Sequence, residues 1–445
     1  MVKLTHVCQS WREIFVSRSS LWTYFDCENA GETRVYLERS RSSPIEVWLG
    51  RDERLLPGDP FFEILPRAIS HLHELYVVGS PENLQDITPR LYHPAPLLER
   101  LTIVIEDIEL EPQRSPVVTA ALFDGDLSSL CELSLHCIRT DLPWRNMANL
   151  TSFVLGYTPP DKLSTGQLLD FFDSAPHLQT VDLHSVPLAP SDLNGRLVSL
   201  ACLKSLLIYG RRPTSLLFDH LLIPAGAELT TELEPPCSQI EDRLPRSLKS
   251  LQNLHDFTRL RLYVDERGSN VRIAGPNGKI HMDTLCSSDD TTSTVLESIA
   301  QLNTSTVKRL KIIKTKPPSK ELPYQALLPM KDLRTLTISQ CDNLPSFIHA
   351  LDPDMNSSNV VVCPKLEKLI LRISKKRVSD VECVIGMAAA RAWWGAKLKS
   401  IRISSRGKFV PKSMSELGKH VLHLEYYSED VGKDTEYGKD SDEEN

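Results

Sequence analysis

Residues 130–135 read Leu-Cys-Glu-Leu-Ser-Leu, and residues 150–155 read Leu-Thr-Ser-Phe-Val-Leu. Both are apolar-x-x-apolar-x-apolar. The last two apolar residues lie two positions apart, so they share one face of an extended strand. The apolar residue three places earlier helps bury the turn that leads in. The pattern recurs upstream at Leu72/Leu75/Val77 and Leu98/Leu101/Ile103. Downstream it recurs at Leu178/Val181/Leu183, Leu203/Leu206/Ile208, Phe257/Leu260/Leu262 and Val307/Leu310/Ile312, then at Leu333/Leu336/Ile338, Leu366/Leu369/Leu371 and Leu398/Ile401/Ile403. Successive starts are 20 to 33 residues apart, except for two intervals of 54 and 50.

Between these strands lie amphipathic stretches: Thr165–Ala175, Ser293–Leu302 and Ser379–Trp394. One strand and one helix cannot cover their own apolar face, whereas stacked copies can. The intervals sit near the period of about 20–29 residues typical of leucine-rich repeats. The expected fold class is therefore α/β, a leucine-rich-repeat-like solenoid or horseshoe over residues 71–427. Each double-length interval can hold a degenerate repeat or an insertion. Residues 211–256, with five prolines, read as an irregular insertion. Residues 264–283 read as an added hairpin turning at Asn277-Gly278.

The chain has 445 residues and a formal charge of −7. Residues 429–445 hold eight acids against two lysines, so nearly all of that excess belongs to an acidic, disordered tail over 428–445. The near-neutral body argues for no nucleic-acid partner. No apolar run is long enough for a transmembrane helix, so no membrane partner is expected. The ten cysteines include no Cys-x-x-Cys pair, and the first residues lack the apolar run of a signal peptide. These features place the chain in the reducing cytoplasm and/or nucleus.

The N-terminus reads Leu4-Thr-His-Val-Cys-Gln-Ser-Trp-Arg-Glu-Ile-Phe, followed by Ser19-Ser-Leu-Trp-Thr-Tyr-Phe. This resembles the second half of an F-box. Residues 35–49, Val-Tyr-Leu-Glu-Arg-Ser-Arg-Ser-Ser-Pro-Ile-Glu-Val-Trp-Leu, resemble the extension common in F-box proteins of mushroom-forming fungi, and the repeats resemble their C-terminal region. The family's box opens with a Leu-Pro-x-Glu-Ile-type helix, and only Met1-Val2-Lys3 precede Leu4 here. The resemblance divides the chain into a partial F-box (1–27), an extension or linker (28–70), the solenoid and the tail. It implies the substrate-recognition subunit of a Skp-cullin-F-box ubiquitin ligase, with a Skp-type adaptor and a cullin as partners. On that reading Leu4, Val7, Cys8, Trp11, Arg12, Leu21 and Trp22 lie in the adaptor-binding module. The alternative is a repeat scaffold, or a truncated F-box form, that does not bind the adaptor.

In a horseshoe, the residues between the core leucines point to the concave face. In the first six repeats the charged ones are Glu74, Arg100, Glu132 and Asp182. In the last five they are Arg259, Arg261, Arg309, Lys311, Lys368, Arg372 and Arg402, with Tyr263 among them and no acid. A wall of one sign favours an oppositely charged partner, here an acidic or phosphorylated protein segment.

No catalytic motif and no cofactor site emerge, so the chain reads as a binding protein and not an enzyme. Gly275-Pro-Asn-Gly-Lys279 lacks the first glycine and the Ser/Thr of a phosphate loop. His71 and His73 flank core Leu72, and no neighbouring carboxylate or cysteine cluster completes a metal site in the sequence.

Overall fold

The fold is described from a computed structural model. The residues described are 8–26, 30–49, 66, 68–105, 117–118, 122–140, 146–158, 163–189, 195–210, 215–233, 257–265, 268–274, 279–284, 296, 304–314, 321–341, 343–356, 360–373, 378–405 and 410–428. The chain divides into two compact units. The first is drawn from Met1–Cys237 and Glu241–His255, the second from Ser238–Ile240 and Asp256–Asn445.

The first unit begins with helices α1 (Gln9–Ser17) and α2 (Ala30–Ser40). Its strands are β1 (Tyr24–Asp26), β2 (Ile45–Leu49), β3 (Leu72–Gly79), β4 (Arg100–Ile105), β5 (Glu132–His136), β6 (Ser152–Gly156), β7 (Thr180–His184), β8 (Ser205–Gly210) and β9 (Glu228–Leu233). Each pairs in parallel with the next. Register aligns Leu101, Leu133, Phe153, Val181, Leu206 and Leu229 in one buried row. Ile103, Leu135, Leu155, Leu183, Ile208 and Thr231 form a second. Helix α3 (Thr165–Ser174) is opened by a capping box between Ser164 and Gln167. Its Phe171 ring lies 4.3 Å from that of Phe153, which joins helix to sheet.

The second unit has strands β10 (Arg259–Asp265), β11 (Gly268–Ala274), β12 (Lys279–Thr284), β13 (Arg309–Ile313), β14 (Thr335–Ser339), β15 (Lys368–Ile373), β16 (Ser400–Ser405) and β17 (His423–Ser428). β10, β13, β14, β15, β16 and β17 pair in parallel, one after another. β11 and β12 add an antiparallel pair to β10, as the hairpin expectation had it. Helices α4 (Glu321–Leu327), α5 (Leu344–Leu351), α6 (Val378–Trp393) and α7 (Pro411–His420) alternate with β13 to β17 and pack neighbour on neighbour. The architecture is mixed α/β with parallel strands, and the described residues form no closed barrel.

The turn before each strand shows why the pattern repeats. Leu98, Leu130, Leu150, Leu178 and Leu203 donate their amides to the carbonyls of Ala95, Leu127, Met147, Ala175 and Leu200. Val307, Leu333 and Leu366 do the same to Thr304, Met330 and Cys363. All eight acceptor residues are buried. The unit is thus three residues longer at its start than the six-residue pattern, and its first core position tolerates Ala, Met, Thr or Cys. After the strand a left-handed residue turns the chain: Cys137, Tyr157, Ser185, Lys314 and Gln340 all have positive φ. Each donates its amide to a carbonyl at the end of the next strand, at Gly156, His184, Tyr209, Ser339 and Arg372.

Two expectations change. The ladder starts before residue 71, because β1 and β2 already pair in parallel with β3 beyond them. The stretch read as an irregular insertion contains β9, whose Leu229 sits opposite Leu206. Thr231 fills the second core row there and Gly226, three residues before Leu229, is exposed, so the apolar pattern is broken although the parallel pairing is kept. Of Ser293–Leu302, only Leu296 is described, and it is buried. The tail at 429–445 and the turn at 275–278 lie outside the described residues. Among the described residues no helix is long and apolar enough to cross a membrane.

Candidate functional site

Three surfaces hold the residues singled out from sequence. The first is the N-terminal segment. α1 buries none of its side chains: Trp11 is 46% exposed, Ile14 is exposed, and Cys8 and Arg12 are exposed beside them. Trp11 leans on Phe15, ring centres 5.9 Å apart. Trp22 is the opposite case, with no exposed surface. Its Nε1 donates to the Phe15 carbonyl at 2.6 Å, its ring meets Tyr36 edge-on at 5.1 Å, and the Arg39 guanidinium lies 4.4 Å from its centre. Trp22 therefore serves this segment from inside, tying α1 to α2, while Cys8, Trp11 and Arg12 face outward. Leu21 is half-buried, and Leu4 and Val7 lie outside the described residues.

The second surface is the outward face of the second unit. Arg259 stands opposite Arg309, and Arg261 opposite Lys311, on adjacent parallel strands. Arg272 on β11 stands opposite Arg261 from the other side. Strand spacing of about 4.8 Å puts these five cations on three neighbouring strands. Lys368 continues the row of Arg309 through Thr335, and Arg372 stands beyond Ser339. Lys314 donates to the Tyr263 hydroxyl at 2.9 Å and lies 5.2 Å from its ring centre.

The expectation of a face without acids is corrected at Arg402. β17 brings Glu425 directly opposite, and Arg402 Nε donates to Glu425 Oε2 at 2.6 Å. That bond and charge hold the Glu425 carboxyl below its usual range. β17 was missed because His423-Leu-Glu-Tyr offers only one aliphatic residue inside the strand. Arg272 was missed because it lies on the hairpin and not on a repeat strand.

The third surface is the outward face of the first unit. Here Trp48 of β2 packs on Tyr76 of β3 with ring centres 4.1 Å apart, and Tyr24 of β1 lies 6.3 Å from Trp48. Glu74 stands opposite Arg100 and is ion-paired with it, and Glu132 follows Arg100 on β5. Further along, Asp182 is 2.7 Å from His184 Nε2. His136 packs near His184, and burial together with that neighbour lowers its pKa below the ordinary histidine value. The aromatic steps had no charge to reveal them in sequence; a period-two aromatic on consecutive strands was the available signal.

Deep in the second unit, Arg391 of α6 is wholly buried and donates to the carbonyls of Val362 at 2.7 Å and Cys363 at 3.0 Å. Burial pushes the Cys363 thiol up to about 12, so it stays protonated and inert. This pair fastens α6 to the turn before β15. Compared with known proteins, the chain matches no family model and no curated protein.

Proposed function

We propose that this chain is the substrate-recognition subunit of a Skp-cullin-F-box type ubiquitin ligase, built on a leucine-rich-repeat-like solenoid. The observation that carries the reading is the division of labour within each strand. The inward rows and the turn bonds repeat with little change, whereas the outward rows differ from strand to strand. A repeat architecture that keeps its core and varies one face offers an extended surface for a polypeptide. The cationic rows of β10, β11 and β13 suit an acidic or phosphorylated segment, onto whose carboxylates or phosphates arginine forks two bonds. The adaptor half rests on the F-box resemblance of residues 4–49 and on α1, where exposed Trp11, with Ile14 beside it, is an aromatic anchor of the kind that dominates interfaces.

The test is affinity purification of the full chain from cell extract, probed for the Skp-type adaptor and cullin. Both are expected with the native chain. Trp11→Ala is expected to weaken recovery by about thirtyfold, the scale of an interface hot spot. A folded chain that captures no adaptor overturns the ligase role and leaves the repeat scaffold.

A further inference from the structure

The first unit carries a group of side chains that the receptor reading does not use. Ile45 of β2 pairs with Leu72 of β3, but Glu46 pairs with Glu74, so β3 has one extra residue at that point. The extra residue is His73. Such a bulge breaks the alternation of the strand and re-aims a side chain. Leu72 and Leu75 remain buried, while His73 and Glu74 both sit half-buried between them. Glu46, His73 and Glu74 each place one donor atom within 4.8 Å of the other two.

Two further observations set this group apart from an ordinary polar surface. Glu46 and Glu74 are direct cross-strand neighbours of like charge, an arrangement that destabilises a sheet. Arg100 is paired to Glu74, and among the described residues Glu46 has no ion-pair partner. With Glu99 alongside, three carboxylates face one guanidinium, leaving an excess of two negative charges that a divalent cation would cancel. The second observation is the orientation of the imidazole. His73 Nε2 lies 3.2 Å from Glu99 Oε2, while Nδ1 lies 3.6 Å from Glu74 Oε1. Glu99 thus lies behind one ring nitrogen while the other faces Glu74, the placement in which an outer carboxylate supports a metal-bound histidine.

We propose that Glu46, His73 and Glu74 bind one divalent transition-metal ion of the zinc class, with Glu99 as the positioning residue behind His73. One imidazole and two carboxylates suit zinc better than magnesium or calcium, which prefer oxygen donors throughout. Zinc–ligand distances are about 2.0–2.2 Å, so the three donors must draw closer together around the ion. Three protein donors leave a coordination position for water or for a donor from a bound partner. Arg100 competes for Glu74, so binding of the ion turns that guanidinium outward.

The test is calorimetric titration of the metal-free full chain with zinc, and in parallel with magnesium and calcium. One zinc per chain with micromolar affinity is expected, with magnesium and calcium weaker by at least about a hundredfold, following the donor preference. Glu46→Gln and His73→Ala are each expected to weaken zinc by tenfold or more at unchanged circular dichroism. Glu99→Gln is expected to weaken it by about 10–100-fold, the usual effect of removing an outer carboxylate. His184→Ala, at the separate Asp182–His184 pair, is expected to change nothing. Binding weaker than millimolar, or zinc binding undiminished in Glu46→Gln and His73→Ala, overturns the proposal. Neither result bears on adaptor capture, so this site and the receptor reading fail separately.

Discussion

The outward faces of the two units share a backbone scheme and differ in chemistry. On the first unit, Tyr24, Trp48 and Tyr76 step across three strands beside Glu46, Glu74 and Glu132. On the second, Arg259, Arg261, Arg272, Arg309 and Lys311 occupy the corresponding outward positions of three strands. The inward rows are apolar in both, apart from Thr231. Stability therefore resides in what the units share, and the proposed recognition would reside in what they do not.

The largest expected effect concerns the shared part. Leu133→Ala in the first unit and Leu310→Ala in the second each remove a buried side chain from the same row position. Each is expected to cost about 2–5 kcal/mol in urea unfolding. A cost near zero at one of them would break the claim that both units are held by the same core.

Next comes the difference between faces. Reversal of Arg261, Arg309 and Lys311 to Glu is expected to lower affinity for an acidic or phosphorylated peptide by roughly a hundredfold or more, since each charged hydrogen bond contributes about 1.5–3 kcal/mol. The matching reversal of Glu132 and Asp182 to Lys is expected to leave that affinity within about twofold, given their position outside the cationic rows. Equal losses would erase the distinction.

Two glycines give a smaller contrast. A Cβ at Gly156 in the first unit would collide with His136 Nδ1, whereas one at Gly386 on α6 meets nothing within 4 Å. Gly156→Ala is expected to destabilise by about 1–3 kcal/mol as the ring is displaced. Gly386→Ala is expected to stabilise by about 0.5–1 kcal/mol, the helical preference of alanine over glycine.

The smallest effect is a pH dependence. Burial lowers the pKa of His136 and of His71 in the first unit. Below the ordinary value of about 6.5 the unfolded chain binds protons that the folded chain refuses, so stability falls as pH drops through that value toward the folded pKa. His136→Gln is expected to flatten that decline in thermal melts; an unchanged slope would remove His136 from the account.

Much of this was legible in the sequence. The two apolar residues of each strand and the one leading into it mark core rows directly, because burial and strand period act on them alone. Helix α3 was legible from its leucines and phenylalanine, with Pro176 marking its end. The hairpin strands were legible from Val271-Arg-Ile273 and Lys279-Ile-His-Met. What escaped was set by register. β9 hides because Gly226 is exposed where Leu203 is buried one strand earlier, and because polar Thr231 fills the second core row opposite Ile208. The Arg402–Glu425 pair spans two strands, one of them unrecognised. The meeting of His73 with Glu46 needs a one-residue bulge, and no local pattern encodes it. In sequence only Glu74 adjoins His73, and the second carboxylate of the group, Glu46, lies 27 positions away.

A substrate receptor must hold two partners at once, so the most direct measurement is sedimentation of the full chain with a purified Skp-type adaptor and a labelled acidic phosphopeptide. The account predicts a single complex containing all three, from which the Arg261/Arg309/Lys311 reversal removes the peptide and Trp11→Ala removes the adaptor. A folded chain that sediments with only one of them, or with neither, contradicts it.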